Sequence, residues 1–117
     1  MGRLLDRVRH RSTIEDDDDL ELRETAAQAG CGLIAGCDDR AIVTLHGELR
    51  SVTLRPVDGV SCLEAELYDG SAAVTLIWLG RRRIEGIAAG RRLTVHGRIG
   101  RRHGERILYN PRYDLDV

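Results

Sequence analysis

From Ala41 onward apolar and polar residues alternate along most of the chain, a period of two that predicts strands. Val43, Leu45 and Leu49 share one face of a first strand, opposite Thr44, His46, Glu48 and Arg50. Val52 and Leu54 then carry the apolar positions on the other parity, so a bulge or sharp coil follows Gly47. Arg55 to Gly59 reads as a turn. A second strand turns Leu63, Ala65 and Leu67 inward and Cys62, Glu64, Glu66 and Tyr68 outward. After the hairpin signal Asp69-Gly70, a third strand over Ala72 to Leu79 points Val74, Leu76 and Trp78 inward, Thr75 and Ile77 outward.

Arg81 to Gly90 is the longest gap, where Ile84, Ile87 and Ala88 fit one apolar helical turn. A fourth strand, Arg91 to Ile99, alternates Leu93, Val95 and Ile99 with Arg92, Thr94, His96 and Arg98. Gly100 to Gly104 is the next turn, and a fifth strand starts near Arg106 and runs to Leu115, with Pro111 marking an edge or an exit. Three meandering strands, a short helical connector and two further strands predict an all-β domain over 40–117: a five-stranded OB-fold, a Greek-key barrel whose coiled first strand serves both halves. A small sandwich or an SH3-like barrel is the alternative, but neither carries the connector.

Residues 1–39 form an acidic leader, flexible or a loosely docked helix. Leu4, Leu5 and Val8 share a helical face, Ser12 to Glu15 match a capping box, and Asp16 to Asp19 would sit favourably near a helix amino end. Gly30 would stop the second helical piece. No apolar run is long enough for a signal peptide or a bilayer span, which predicts a cytoplasmic protein with no membrane partner. Met1-Gly2 lacks the Ser or Thr at position 6 that myristoylation wants. Cys31, Cys37 and Cys62 lack paired spacing; they read as partly buried thiols, a zinc site needing His46, His96 or His103 as well.

Charge changes the picture. All 18 basic residues are Arg, and the formal net charge is −1. The leader holds five Arg against ten acids, net −5, whereas 40–117 holds thirteen Arg against nine, net +4. Arg81 to Arg106 alone carries nine Arg against Glu85 and Glu105, net +7. Clustered guanidinium groups point to a polyanion, because they stay charged, grip phosphate bidentately and stack on bases. Ser51, Ser61 and Ser71 lack a nucleophile context, the histidines lack metalloprotease spacing, and no phosphate-binding loop is possible without Lys. A non-enzymatic protein without a cofactor is the expectation.

Val43-Thr44-Leu45-His46-Gly47, Leu67-Tyr68-Asp69-Gly70-Ser71 and Leu76-Ile77-Trp78-Leu79-Gly80 resemble the OB-fold nucleic-acid-binding superfamily. So do Gly90 to Arg98 and Tyr109-Asn110-Pro111-Arg112-Tyr113. The order of these motifs is similar to the OB wedge domain of the branched-DNA helicase that reverses replication forks. The resemblance covers residues 40 to 117, carries no helicase motor, and implies a free-standing bacterial OB protein in DNA repair, recombination or replication. It implies binding across strands two and three and their flanking loops. There lie Arg55 in the first loop, Arg101, Arg102 and His103 in the second, Tyr68 and Thr75 on the strands, and Arg81, Arg82 and Arg83 at the end of strand three. Arg50 and Arg98 extend this basic face. Trp78 either packs the core, as its parity places it, or stacks on a base.

Aromatics are only 3% of the chain, so affinity should rest on phosphate contacts; four to six of them predict a salt slope of about −3 to −4 on a single strand. Glu64 and Glu66 stand on the same face, to repel phosphates or to read base amino groups. The expected partner is nucleic acid, DNA over RNA. The rival reading is a protein-interaction domain docking an acidic or strand-pairing partner. A third has the acidic leader lying over the basic face and competing with nucleic acid.

Overall fold

The computed structural model describes the backbone of residues 2–117 and side chains from Ile14 on. One helix, α1 (Gly2–Gln28), replaces the two expected pieces. No Gly or Pro interrupts positions 3–29, so nothing breaks it, and Ser12 to Glu15 lie inside the helix instead of capping it. Asp16 to Asp19 likewise fall mid-helix, far from its amino end. The helix stops where Gly30 adopts φ 76°: its N–H reaches the Ala27 carbonyl at 3.0 Å and the Cys31 N–H reaches Ala26 at 2.9 Å, a Schellman closure. The expected face of Leu4, Leu5 and Val8 lies outside the described side chains.

Strand β1 (Ile42–Val57) is long enough to have two partners. Its first half, Ile42 to Glu48, pairs antiparallel with β4 (Arg92–Arg98), and its second half, Glu48 to Val57, with β2 (Val60–Tyr68). The register shifts between Leu49 and Ser51, so Arg50 is the bulge residue that produces the expected change of parity. Gly47 sits where the strand changes partner. A Cβ there would collide with the backbone carbonyl of Tyr68, so only glycine lets β1 and β2 approach this closely. The turn after β1 is tighter than Arg55–Gly59. Val57 pairs with Val60 across Asp58 and Gly59, whose φ values of 50° and 79° are those of a two-residue hairpin.

Strand β3 (Ala73–Leu79) pairs antiparallel with β2 and parallel with β6 (Glu105–Tyr109). Residues 81–91 form turns, not a helical connector. Gly86 and Gly90 take φ 82° and 90°, which breaks any helix, while Ile84 and Ile87 still plug the core. The expected fourth strand ends at Arg98 as β4, and the expected turn Gly100–Gly104 opens instead with a short strand, β5 (Gly100–Arg102). The expected fifth is interrupted at Asn110-Pro111, giving β6 and β7 (Arg112–Leu115). Asn110 takes φ 48°; its N–H bonds the Ile77 carbonyl at 2.6 Å and its Oδ1 accepts the Leu79 N–H at 2.9 Å, which brackets the end of β3.

The result is one seven-stranded sheet in the order β5-β6-β3-β2-β1-β4-β7, in place of the five strands expected. Only Ile99 separates β4 from β5, although four other strands lie between them in the order, so the sheet curls. Inside the curl lie Leu45, Leu49, Leu67, Leu76, Leu93 and Leu108, all at most 1% exposed. The core also reaches into the leader. Ile34 is fully buried within it, and its N–H donates to Asp69 Oδ2 at 2.8 Å. Asp69, itself fully buried, also accepts from the Ser71 hydroxyl and the Ser71 and Ala72 N–H groups, so the Asp-Gly hairpin anchors the leader as well as turning the chain.

Candidate functional site

Five strands bring the candidate residues together. After the Arg50 bulge, Ser51, Thr53 and Arg55 stand opposite Glu66, Glu64 and Cys62 on the outer face of β1 and β2. Thr75 on β3 lies opposite Glu66. The β5–β6 hairpin, turning at His103 (φ 52°) and Gly104, folds Arg102 and Glu105 over the same surface. All of these strand side chains except Cys62 line a groove of about 310 Å³ with almost wholly polar walls.

The arginines in this groove have carboxylate partners. Arg55 is in a strand, not a loop, and its Nε lies 3.5 Å from Glu64 Oε2. Arg102, also in a strand, places Nη2 3.2 Å from Glu64 Oε1. Arg101, beside it on β5, donates from Nε to Asp39 at 2.6 Å and from Nη1 to the Gly104 carbonyl at 2.9 Å. Arg50 lies over the Tyr68 ring, 4.2 Å from its centroid. Burial first, and the Asp19 carboxylate on α1 second, push the Tyr68 phenol above its ordinary range.

A second group of arginines is left free. Arg81, Arg82, Arg83 and Arg98 are exposed, and none has a carboxylate within ion-pair distance among the described residues. Arg91 and Arg112, which sequence reasoning passed over, belong to the same group. The structure therefore splits the candidates: Arg55, Arg101 and Arg102 are held by acids, whereas the Arg81–Arg83 run projects unpaired from the end of β3.

Trp78 is 5% exposed within the core; its Nε1–H donates to the Pro111 carbonyl at 3.1 Å and its ring meets Tyr113 edge-on at 5.9 Å. Held this way, it offers no stacking surface. Three side chains expected to face solvent, Cys62, Ile77 and His46, are buried as well. Cys62 and Ile77 join Ile107 in a small second cluster on the outer face. His46 is 2% exposed, its Nε2 2.8 Å from Asp116 beneath the end of β7. His96 is bound on both ring nitrogens, to Thr44 at 3.0 Å and to Asp114 at 3.2 Å. Among the described residues no three His, Cys, Asp or Glu side chains converge as a metal site. Burial pushes the Cys31 and Cys37 thiols up.

Sequence reasoning missed Ser51, Thr53 and Glu105 as groove residues, although the change of parity after Leu49 already placed Ser51 and Thr53 beside Glu64 and Glu66. It also missed Asp39, which reaches Arg101 from the leader across 62 residues. No helix among the described residues is long and apolar enough to cross a membrane.

Neither a family model nor a curated protein matches the chain. Among solved structures, that of RecG bound to a three-way DNA junction is similar over 67% of this chain, with TM-score 0.55 and 21% identity. The matched part is 11% of the RecG chain. At that identity the likeness is one of fold, to a small part of RecG.

Proposed function

We propose that the chain is a non-enzymatic nucleic-acid-binding module of the OB type, taking DNA over RNA and single-stranded or branched DNA over plain duplex. The parallel β3–β6 pairing and the single residue between β4 and β5 support reading the curled sheet as an OB barrel closed through Ile99. The fold shared with part of a protein seen on a DNA junction supports a nucleic-acid partner, and such a partner fits a role in repair, recombination or replication. The observation that carries the reading is the unpaired run Arg81-Arg82-Arg83. Three adjacent guanidinium groups without carboxylates repel one another, and a phosphodiester chain relieves that repulsion.

Fluorescence anisotropy across a salt series, with single-stranded, duplex and forked DNA and with RNA, tests it. Replacing Arg81, Arg82 and Arg83 by Ala should flatten the slope of log K against log salt by about 2 on a single strand. Replacing Arg101 and Arg102 should change it by less than about 1, because both are already paired. If no oligonucleotide binds below ~100 μM at low salt, weaker than ordinary non-specific sites, the proposal is wrong. One observation favours a second reading, a protein-docking face: Val60, Leu79 and Tyr109 are 45–51% exposed around the second apolar cluster.

A further inference from the structure

The groove and the free arginines have different chemistry. Glu64 lies on the groove floor, 9% exposed, with one oxygen turned to Arg55 of β1 and the other to Arg102 of β5. A buried carboxylate flanked by two guanidiniums already occupies the position a phosphate would take, and it holds both cations to the walls. Counting every charged side chain of the lining, two arginines face three acids, Glu64, Glu66 and Glu105. A phosphodiester backbone gains nothing from such a surface.

Glu66 and Glu105 are exposed and have no ion-pair partner among the described residues. Glu66 projects from the middle of β2, between Ser51 of β1 and Thr75 of β3, so rigid paired backbone aims its carboxylate. It also lines an adjoining hollow of about 260 Å³ with Thr75, Glu105 and Arg106, whose guanidinium is the one cation there among the described residues and makes no ion pair with either acid. A groove of about 310 Å³ is at the small end of ligand-sized cavities and suits one ring system, not a strand. Carboxylate oxygens that lack donors, flanked by hydroxyls that both donate and accept, complement a planar edge rich in N–H groups.

We propose that this groove takes the amino-bearing edge of a single unpaired nucleobase — cytosine, adenine or guanine — with Glu66 accepting its N–H hydrogen bonds. The inference rests on the nucleic-acid reading above and adds a division of labour: the free arginines track phosphates outside, and the acidic groove reads a base. Thymine and uracil present carbonyl oxygens flanking one N–H, so they meet the carboxylates poorly.

The test uses the full chain and labelled oligo-dC, oligo-dA and oligo-dT of equal length in anisotropy titrations at two salt concentrations. Oligo-dC and oligo-dA should bind about tenfold more tightly than oligo-dT, the discrimination expected of one good base contact. The absolute affinities should fall with salt while that ratio holds, because the base contact releases no counterion. E66A and E66Q, both changes at an exposed position, should bring the ratio close to one with melting temperature unchanged. Equal binding of all three oligonucleotides by the wild type, or a ratio that survives both substitutions, overturns the proposal and leaves the phosphate reading intact. Failure of every oligonucleotide to bind overturns both. Tighter binding of a lysine-rich peptide than of any oligonucleotide, abolished by E66A, reassigns the groove to a cationic protein segment and also overturns it.

Discussion

At the residue scale, two glycines separate close approach from backbone freedom. Gly47 has the Tyr68 carbonyl where its Cβ would be, and neither strand can retreat without breaking its ladder. Gly59 has open space around it and needs only its φ of 79°. Gly47→Ala should therefore cost about 3 kcal/mol, the upper range of overpacking, and Gly59→Ala about 1 kcal/mol, the left-handed penalty alone. Urea denaturation midpoints measure both. A Gly47→Ala protein as stable as Gly59→Ala would show that β1 does not cross so close to β2. The sequence marked both as breaks in the strand pattern but could not rank them, because the obstructing carbonyl comes from a residue 21 positions away.

Among the elements, α1 packs an acid against a titrating tyrosine of the sheet. Residues Leu22 and Ala26 are buried, Glu21 Oε1 pairs with Arg92 at 3.1 Å, and Asp19 faces the Tyr68 phenol. Folding raises the affinity of that phenol for its proton. Its contribution to stability is thus complete below the ordinary value of 10.0 and is lost as pH rises through the higher folded value. Cys31 and Cys37 shift in the same direction from 9.0, so the difference between wild type and Tyr68→Phe isolates the phenol. Phe keeps a ring beneath Arg50, and the variant should lose less stability than wild type between pH 9 and 11. Parallel curves would show that the phenol is not linked to folding.

Helices and strands were unequally legible. Alternation located every strand except β5, as well as the parity change at Arg50, because period two reports a half-buried sheet directly. The short strand β5 escaped, and Pro111 was marked without showing that the fifth strand divides there into β6 and β7, since both depend on which strand is the partner and not on the local pattern. The burial of Cys62, Ile77 and His46 escaped for a related reason: the outer face of a curled sheet is partly covered by its own hairpin and tail, which alternation cannot see.

Over the whole molecule, the leader and the sheet are joined at points that composition hides. Ile34 in the core and Asp39 on Arg101 tie residues 31–39 to the sheet, so cutting at position 39 removes part of the core. Deleting residues 1–28 instead leaves Ile34, Asp69 and their hydrogen bond in place. That variant should keep its β-type circular dichroism and, having lost eight acids against five arginines, bind DNA more tightly at low salt. Unchanged affinity would mean that the helix charge does not reach the bound strand. Of the proposed interface, sequence picked out the clustered arginines but could not separate free from paired ones; ion pairs such as Arg102 with Glu64 span 38 residues and form only when the hairpin folds over β2.

The parallel union of β3 with β6 has a consequence for how this chain is made. A ribosome delivers β1, β2 and β3 well before residues 105–109 emerge, and until then the meander has no cover for Leu76 and Ile77, both fully buried in the finished molecule. The nascent polypeptide therefore spends the interval between the emergence of β3 and that of β6 as a sticky, half-open sheet, a natural client for chaperones, and its protection arrives only with residues 105–109.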